Sequence, residues 1–178
     1  MNSNIWLLTF ADAISIATTL ILASLGAMIT ERSGVINLGV ESMLLMGAVT
    51  GFVVADSTGN LWLALFLAVL VGIVLSSIHA ALTVGLRANQ IVSGLAMVIF
   101  GTGLSSFIGK PIEGDPLPVV IRPLELGWLA DLPLVGPVVF GHDLFTYLTW
   151  AAAGGASFYM HRTRPGLLLR ATGDAPAT

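Results

Sequence analysis

The sequence contains no cysteine, which excludes a disulfide framework and thiolate metal sites. Charge is scarce: Asp, Glu, Lys and Arg make up 10% of the 178 residues, where a soluble domain carries roughly a quarter. So few charges cannot coat a globular surface in water, and the solvent for the remainder is lipid. A net charge of −3 offers nothing to a phosphate backbone, so no nucleic-acid partner is expected. No lysine or arginine precedes the first apolar run, which is too long for a signal-peptide core; it reads as a retained helix. The three histidines, His79, His142 and His161, show no paired spacing, and no metal site is expected. Residues 103–111 have the outline of a phosphate loop. Their glycine spacing is one residue too long, and Pro111 stands where serine or threonine is required. No nucleophile–base arrangement stands out. The only acids placed within apolar runs, Asp12 and Glu41, fall near opposite faces, so the chain does not read as an enzyme.

What is present is hydrophobicity, at 56% of residues and a mean hydropathy of +0.93. A spanning helix needs about 20 mostly apolar residues, and five segments qualify: 6–29, 35–55, 61–82, 91–108 and 144–160. The expected fold is all-α, a polytopic bundle of about five transmembrane helices forming a single domain over 1–178. Tight turns at 31–34, 56–60 and 85–90 contrast with the loop at 109–143, which holds six of the eight prolines. Irregular backbone is not tolerated against hydrocarbon, which places this loop outside as a cap. Arg32, Arg87, Arg162, Arg164 and Arg170 fall on one side of such a bundle. The other side has Lys110 and Arg122 among the acids Asp56, Glu113, Asp115, Glu125, Asp131 and Asp143. The basic side is expected to be cytoplasmic, with the N-terminus outside and the C-terminus inside.

The second segment is unusual for its polarity. Asn37 and Glu41 are four apart and share a face if they lie on one helix. An ionisable residue at membrane depth is a functional candidate, and Gly34 and Gly39 flank it as sites where a helix could loosen. Glu41 pairing with Arg32 or Arg87 at the interface is the plainer alternative. Asn89, Gln90 and Ser93 sit at the turn into the fourth segment, which Ser93-Gly94 and Gly101-Thr102-Gly103 are expected to interrupt; such a helix lines a pathway or is simply packed and capped. Gly47 and Gly51 form a small-xxx-small pair for close helix packing. After the last span, Pro165-Gly166 leads into a short apolar-basic stretch, a small helix on the cytoplasmic face or a positive-inside anchor.

Four stretches, ERSGVINLGVESMLLMGA from Glu31, GLRANQIVSGLAM from Gly85, FGTGLSSFIGK from Phe100 and GLLLRATGDAP from Gly166, resemble permease subunits of bacterial ABC importers. The resemblance is to the simple-sugar and nucleoside branch, related to ribose and branched-chain amino-acid permeases. It implies a permease that moves a small polar solute inward, in the bacterial inner membrane. The implied partners are a second permease subunit, an extracytoplasmic substrate-binding protein and a cytoplasmic ATP-binding subunit. ATP is then bound by that subunit and no cofactor by this chain. The tail at 162–178 matches the segment that couples to the ATPase, carrying Arg170, Gly173 and Asp174 as the contact residues. Asn37, Glu41, Asn89, Gln90 and Ser93 are the pathway candidates. The chain departs from the pattern at Asp174-Ala175-Pro176, where a glutamate-asparagine pair commonly precedes the proline. It also stops at Thr178, where family members continue through further helices. A truncated permease that does not transport alone is therefore expected. The alternatives are a branched-chain amino-acid-type permease and a small non-transporting assembly protein.

Overall fold

The computed structural model describes residues 3–124, 127–129, 132 and 136–174. Glu125, Asp131, Pro133 and the Ala175-Pro176 end of the tail motif lie outside the described residues, as does the side chain of Asp174. Every regular element among the described residues is helical. The six helices are α1 (Ser3–Arg32), α2 (Val40–Thr58), α3 (Leu61–Ala80), α4 (Gln90–Gly109), α5 (Leu144–Arg162) and α6 (Arg164–Asp174). α1 to α4 are long and apolar enough to cross a membrane. α5 has the length of a fifth span, but its threonines, tyrosines, glycines and His161 dilute its hydropathy, and it is not among those four. The loop after α4 is not featureless: it carries 3-10 turns at Lys110–Ile112 and Gly127–Leu129 and a π-helical turn at Gly136–Phe140.

The chain forms two compact units, one from Gly34–Val120 and one from Met1–Ser33 with Ile121–Thr178. In the Gly34–Val120 unit, α2 and α3 are antiparallel neighbours. Gly59 takes φ +66° and its N–H closes on the Ala55 carbonyl, ending α2. Asn60 then caps α3, its side chain accepting from the Trp62 and Leu63 amides. Gly47 and Gly51 face α3: a Cβ on either would lie 3.7 Å from Ala68 atoms. α4 runs parallel to α2, with Gly94 against Leu38, Gly101 against Ser42 and Gly109 against Val49. Met46, Leu75 and Met97 form the buried apolar centre of the three helices.

The other unit is held differently. α1 packs on α5, on the π-helical turn and on α6, and α6 folds back on α5. Asp143 caps α5 by accepting from the Thr146 amide at 2.9 Å. Thr18, His142, Thr146 and Thr149 are buried here. Thr18 Oγ1 donates to the Ile14 carbonyl and lies 3.4 Å from Thr146 Oγ1. His142 spans Ser15 Oγ at 3.3 Å and the Val138 carbonyl at 2.8 Å, with Trp150 edge-on. Large apolar side chains on α1, α3 and α4 are widely exposed, including Trp6, Ile16, Trp62, Phe66, Ile99 and Phe107. That is the expected surface of helices solvated by lipid tails.

Candidate functional site: a pinned break before the second helix

The second apolar segment is not one helix. α2 starts at Val40, and residues 34–39 form turns and irregular chain. Asn37 and Glu41 therefore do not share a helix face, contrary to the expectation from their spacing. The physical reason is local. Gly34 adopts φ +88°, a left-handed conformation that glycine enters without a Cβ penalty. The Asn37 side chain then turns back to accept the Gly39 amide at 3.0 Å, an Asx-type turn that competes with helix. The Ser42 hydroxyl donates to the Gly39 carbonyl at 2.7 Å.

Backbone leaving helical pairing among apolar helices needs other partners. They come from α3 and α4. Gln90 Oε1 accepts the Ile36 amide at 2.7 Å, and Gln90 Nε2 reaches the Gly34 carbonyl at 3.5 Å. The Ile36 carbonyl accepts from His79 Nε2 at 3.3 Å. Ser93 Oγ lies 3.4 Å from His79 Nδ1. Just beyond His79, α3 widens into a π-helical turn at Ala81–Gly85, where the Thr83 hydroxyl donates to the His79 carbonyl at 2.8 Å. Arg87, with φ +53°, reverses the chain into α4.

The close approach that makes this possible comes from glycines. A Cβ on Gly94 would sit 2.8 Å from Leu38 Cβ, and one on Gly101 would collide with Ser42. α4 is continuous through both positions. The glycines at 94 and 101 do not interrupt the helix, as their sequence suggested; they seat the broken segment against it.

The candidates thus separate by role. Asn89 caps α4, accepting from the Ile91 and Val92 amides. Gln90 and Ser93 belong to the pinning network. Asn37 is half-buried with its oxygen in the Asx turn, and Glu41 is exposed in the first turn of α2. His79, 3% exposed and central to the network, was not among the sequence candidates. The clue was in its spacing: in the antiparallel pairing of α2 and α3, which also sets 47 beside 68 and 51 beside 64, position 79 falls opposite 36. Farther along α2 and α4 is an open cavity of about 410 Å³ lined by Val49, Phe52, Ser106, Lys110, Ile112 and Glu113, among others. It includes none of the candidates.

In the other unit, α6 is amphipathic by sequence and begins with Pro165 in its first turn. It is clamped to α5 at Gly166, where a Cβ would overlap the Tyr159 carbonyl and lie 2.8 Å from Met160 Cα. The Thr163 hydroxyl donates to that same carbonyl at 2.7 Å and accepts the Gly166 amide. Leu167 and Leu168 face outward, whereas Arg170 and Gly173 are half-buried. The Arg170 Nε is buried without a partner among the described residues.

Comparison with known proteins agrees with this architecture. A protein of Haloferax volcanii named "Putative glucose ABC transporter permease protein TsgC13" is 40% identical over 163 residues, covering 90% of this chain and 50% of its own. The guanosine ABC transporter permease protein NupQ of Bacillus subtilis is 34% identical, covering 90% of this chain and 54% of its own. The nucleoside ABC transporter permease protein NupC of Lactococcus lactis is 30% identical, covering 93% and 56%. This chain spans about half the length of these relatives. No solved structure matches it. The profile of the branched-chain amino acid transport system / permease component family matches residues 9–178, and the chain belongs to that family of multi-pass membrane permeases.

Proposed function

We propose that this chain is a permease subunit of an ABC importer, carrying a nucleoside or a simple sugar inward. The observation that supports it most is the match of the permease family over residues 9–178, with relatives named for guanosine, nucleoside and glucose transport. ATP hydrolysis takes place on a separate cytoplasmic subunit, a second permease subunit completes the pathway, and an extracytoplasmic binding protein delivers the solute. The chain itself binds no cofactor. Its N-terminus lies outside and its C-terminus in the cytoplasm, the orientation favoured by the arginine distribution.

Within this reading the pinned break contributes to the pathway wall. Irregular backbone at membrane depth occurs where it lines a cavity or is enclosed by protein. Glu41 and the Asn37 amide nitrogen are the groups left to meet a polar solute, because Asn89 and Gln90 are committed to backbone and Ser93 to the His79 ring. α6 is the docking element for the ATPase, with its outward Leu167 and Leu168 beside Arg170, Gly173 and Asp174. The test is co-expression with the ATPase subunit and co-purification in detergent, with and without Leu168→Glu and Arg170→Glu, together with uptake of labelled guanosine and glucose by the assembled transporter. ATPase capture lost in the variants, with uptake of either solute, supports the proposal. Capture that ignores both substitutions removes α6 as the dock. Uptake of neither solute by an assembled transporter removes the substrate class.

A further inference from the structure

The pinning network gives backbone groups of Gly34, Ile36 and Gly39 named partners. Gly34 and Ile36 are held by one side chain, Gln90. Gly39 is held by Asn37 of the same segment and by Ser42 of the first turn of α2. The Ile36 carbonyl alone depends on α3, and its partner is His79. A carbonyl oxygen cannot donate, so the shared proton sits on Nε2, and Nδ1 is left to accept from the Ser93 hydroxyl. The imidazole thereby has a partner at both nitrogens, with one bond to the break and one to α4. Its own backbone is fixed by Thr83 at the π-helical turn. Three elements, α3, α4 and the break, therefore meet at one buried ring.

We infer that His79 is a positioning residue. It holds the Ile36 carbonyl on α3, so that the chain stays out of helix between Gly34 and Gly39 and presents Asn37 and Glu41 as described. Ser93 acts through it by fixing the ring. This deepens the reading of the break as pathway wall and rests on it only for its consequence in transport; the latch itself is a property of this chain.

The experiment is hydrogen–deuterium exchange on the full chain in detergent, comparing the parent with His79→Ala, His79→Gln and Ser93→Ala. His79→Ala is expected to speed exchange of the Ile36 and Gly39 amides about tenfold, the scale of one lost hydrogen bond. Exchange in the middle of α5 should stay unchanged. Glutamine presents an N–H to the Ile36 carbonyl and is expected to restore exchange to within about threefold of the parent. Ser93→Ala falls between the two. Unchanged exchange at 36–39 in His79→Ala would overturn the inference. So would equal acceleration in the alanine and glutamine variants, which marks loss of packing rather than loss of the bond. Exchange needs no solute, ATPase or second subunit. A failure here leaves the permease reading standing, and failed uptake of guanosine and glucose leaves the latch standing.

Discussion

The two compact units face the same difficulty, association of helices without a hydrophobic driving force, and meet it with the same materials in different proportion. The Gly34–Val120 unit brings backbones together at Gly47, Gly51, Gly94 and Gly101 around Met46, Leu75 and Met97, and buries Ser42, His79, Thr83, Ser93 and Ser105 as well. The other unit buries Thr18, His142, Thr146 and Thr149, and Met160 is its one buried hydrophobic side chain among the described residues. In lipid, close packing of small residues and interhelical hydrogen bonds are the two available adhesives. The first leaves no tolerance for volume. The second leaves more, because each bond contributes modestly. The burial figures agree: 28% of the apolar stretch of α4 is buried, but only 6% of that of α1. The unit that carries the irregular segment is thus the tightly packed one. A break in a helix has backbone groups to satisfy, and only near-contact with neighbours supplies partners at hydrogen-bond distance.

This contrast can be broken most forcefully at Gly101. Gly101→Val places a branched side chain into Ser42 and is expected to destabilise by about 3 kcal/mol, at the upper end of overpacking. A detergent thermal melt should show a strongly lowered midpoint or loss of folded protein. Gly166→Val comes next. It overlaps the Tyr159 carbonyl and should lift α6 from α5, read as faster proteolysis within Arg164–Asp174 and a cost of about 2 kcal/mol. Removal of a hydrogen-bonding hydroxyl is the milder test. Thr146→Val loses the contacts to Thr18 and Asp143 and is expected to cost about 1 kcal/mol in an SDS unfolding titration, near the range for polar contacts between membrane helices. Gly103→Ala sharpens the first prediction. Nothing lies within 4 Å of a Cβ there, so it should be neutral or stabilising by about 0.5 kcal/mol through helix propensity. If Gly101→Val and Gly103→Ala proved equally benign, the close packing of α2 on α4 would be refuted.

Much of the architecture was legible in residue pattern. Long apolar runs gave helix positions to within a few residues, because a segment in lipid has no alternative to internal pairing of its amides. The tight turn expected at 56–60 falls between α2 and α3, and of the two readings for the turn into the fourth segment, the capped one matches Asn89. The candidate site was legible only in part. Asn37, Gln90 and Ser93 stood out as polar groups in apolar surroundings, but their tasks did not. Asn37 could be drawn onto the face of Glu41 only by assuming that the helix continued through Gly34 and Gly39. His79 looked like an isolated structural histidine because its partners, Ile36 and Ser93, are 43 and 14 residues away. Gly101 and Gly103 are indistinguishable in sequence, yet one lies against Ser42 and the other against nothing.

By itself the sequence determined the solvent, the helical class, the approximate spans and, through four ordered motifs, the permease family. These follow from composition and local pattern, since the cost of an unpaired amide in lipid depends on the segment alone. The tertiary structure decided where α2 begins, which polar side chains are committed to backbone and which glycines mark contact. Those are outcomes of distance between segments remote in the chain. A hydrogen bond or a missing Cβ acquires meaning only when a neighbour lies within about 3–4 Å.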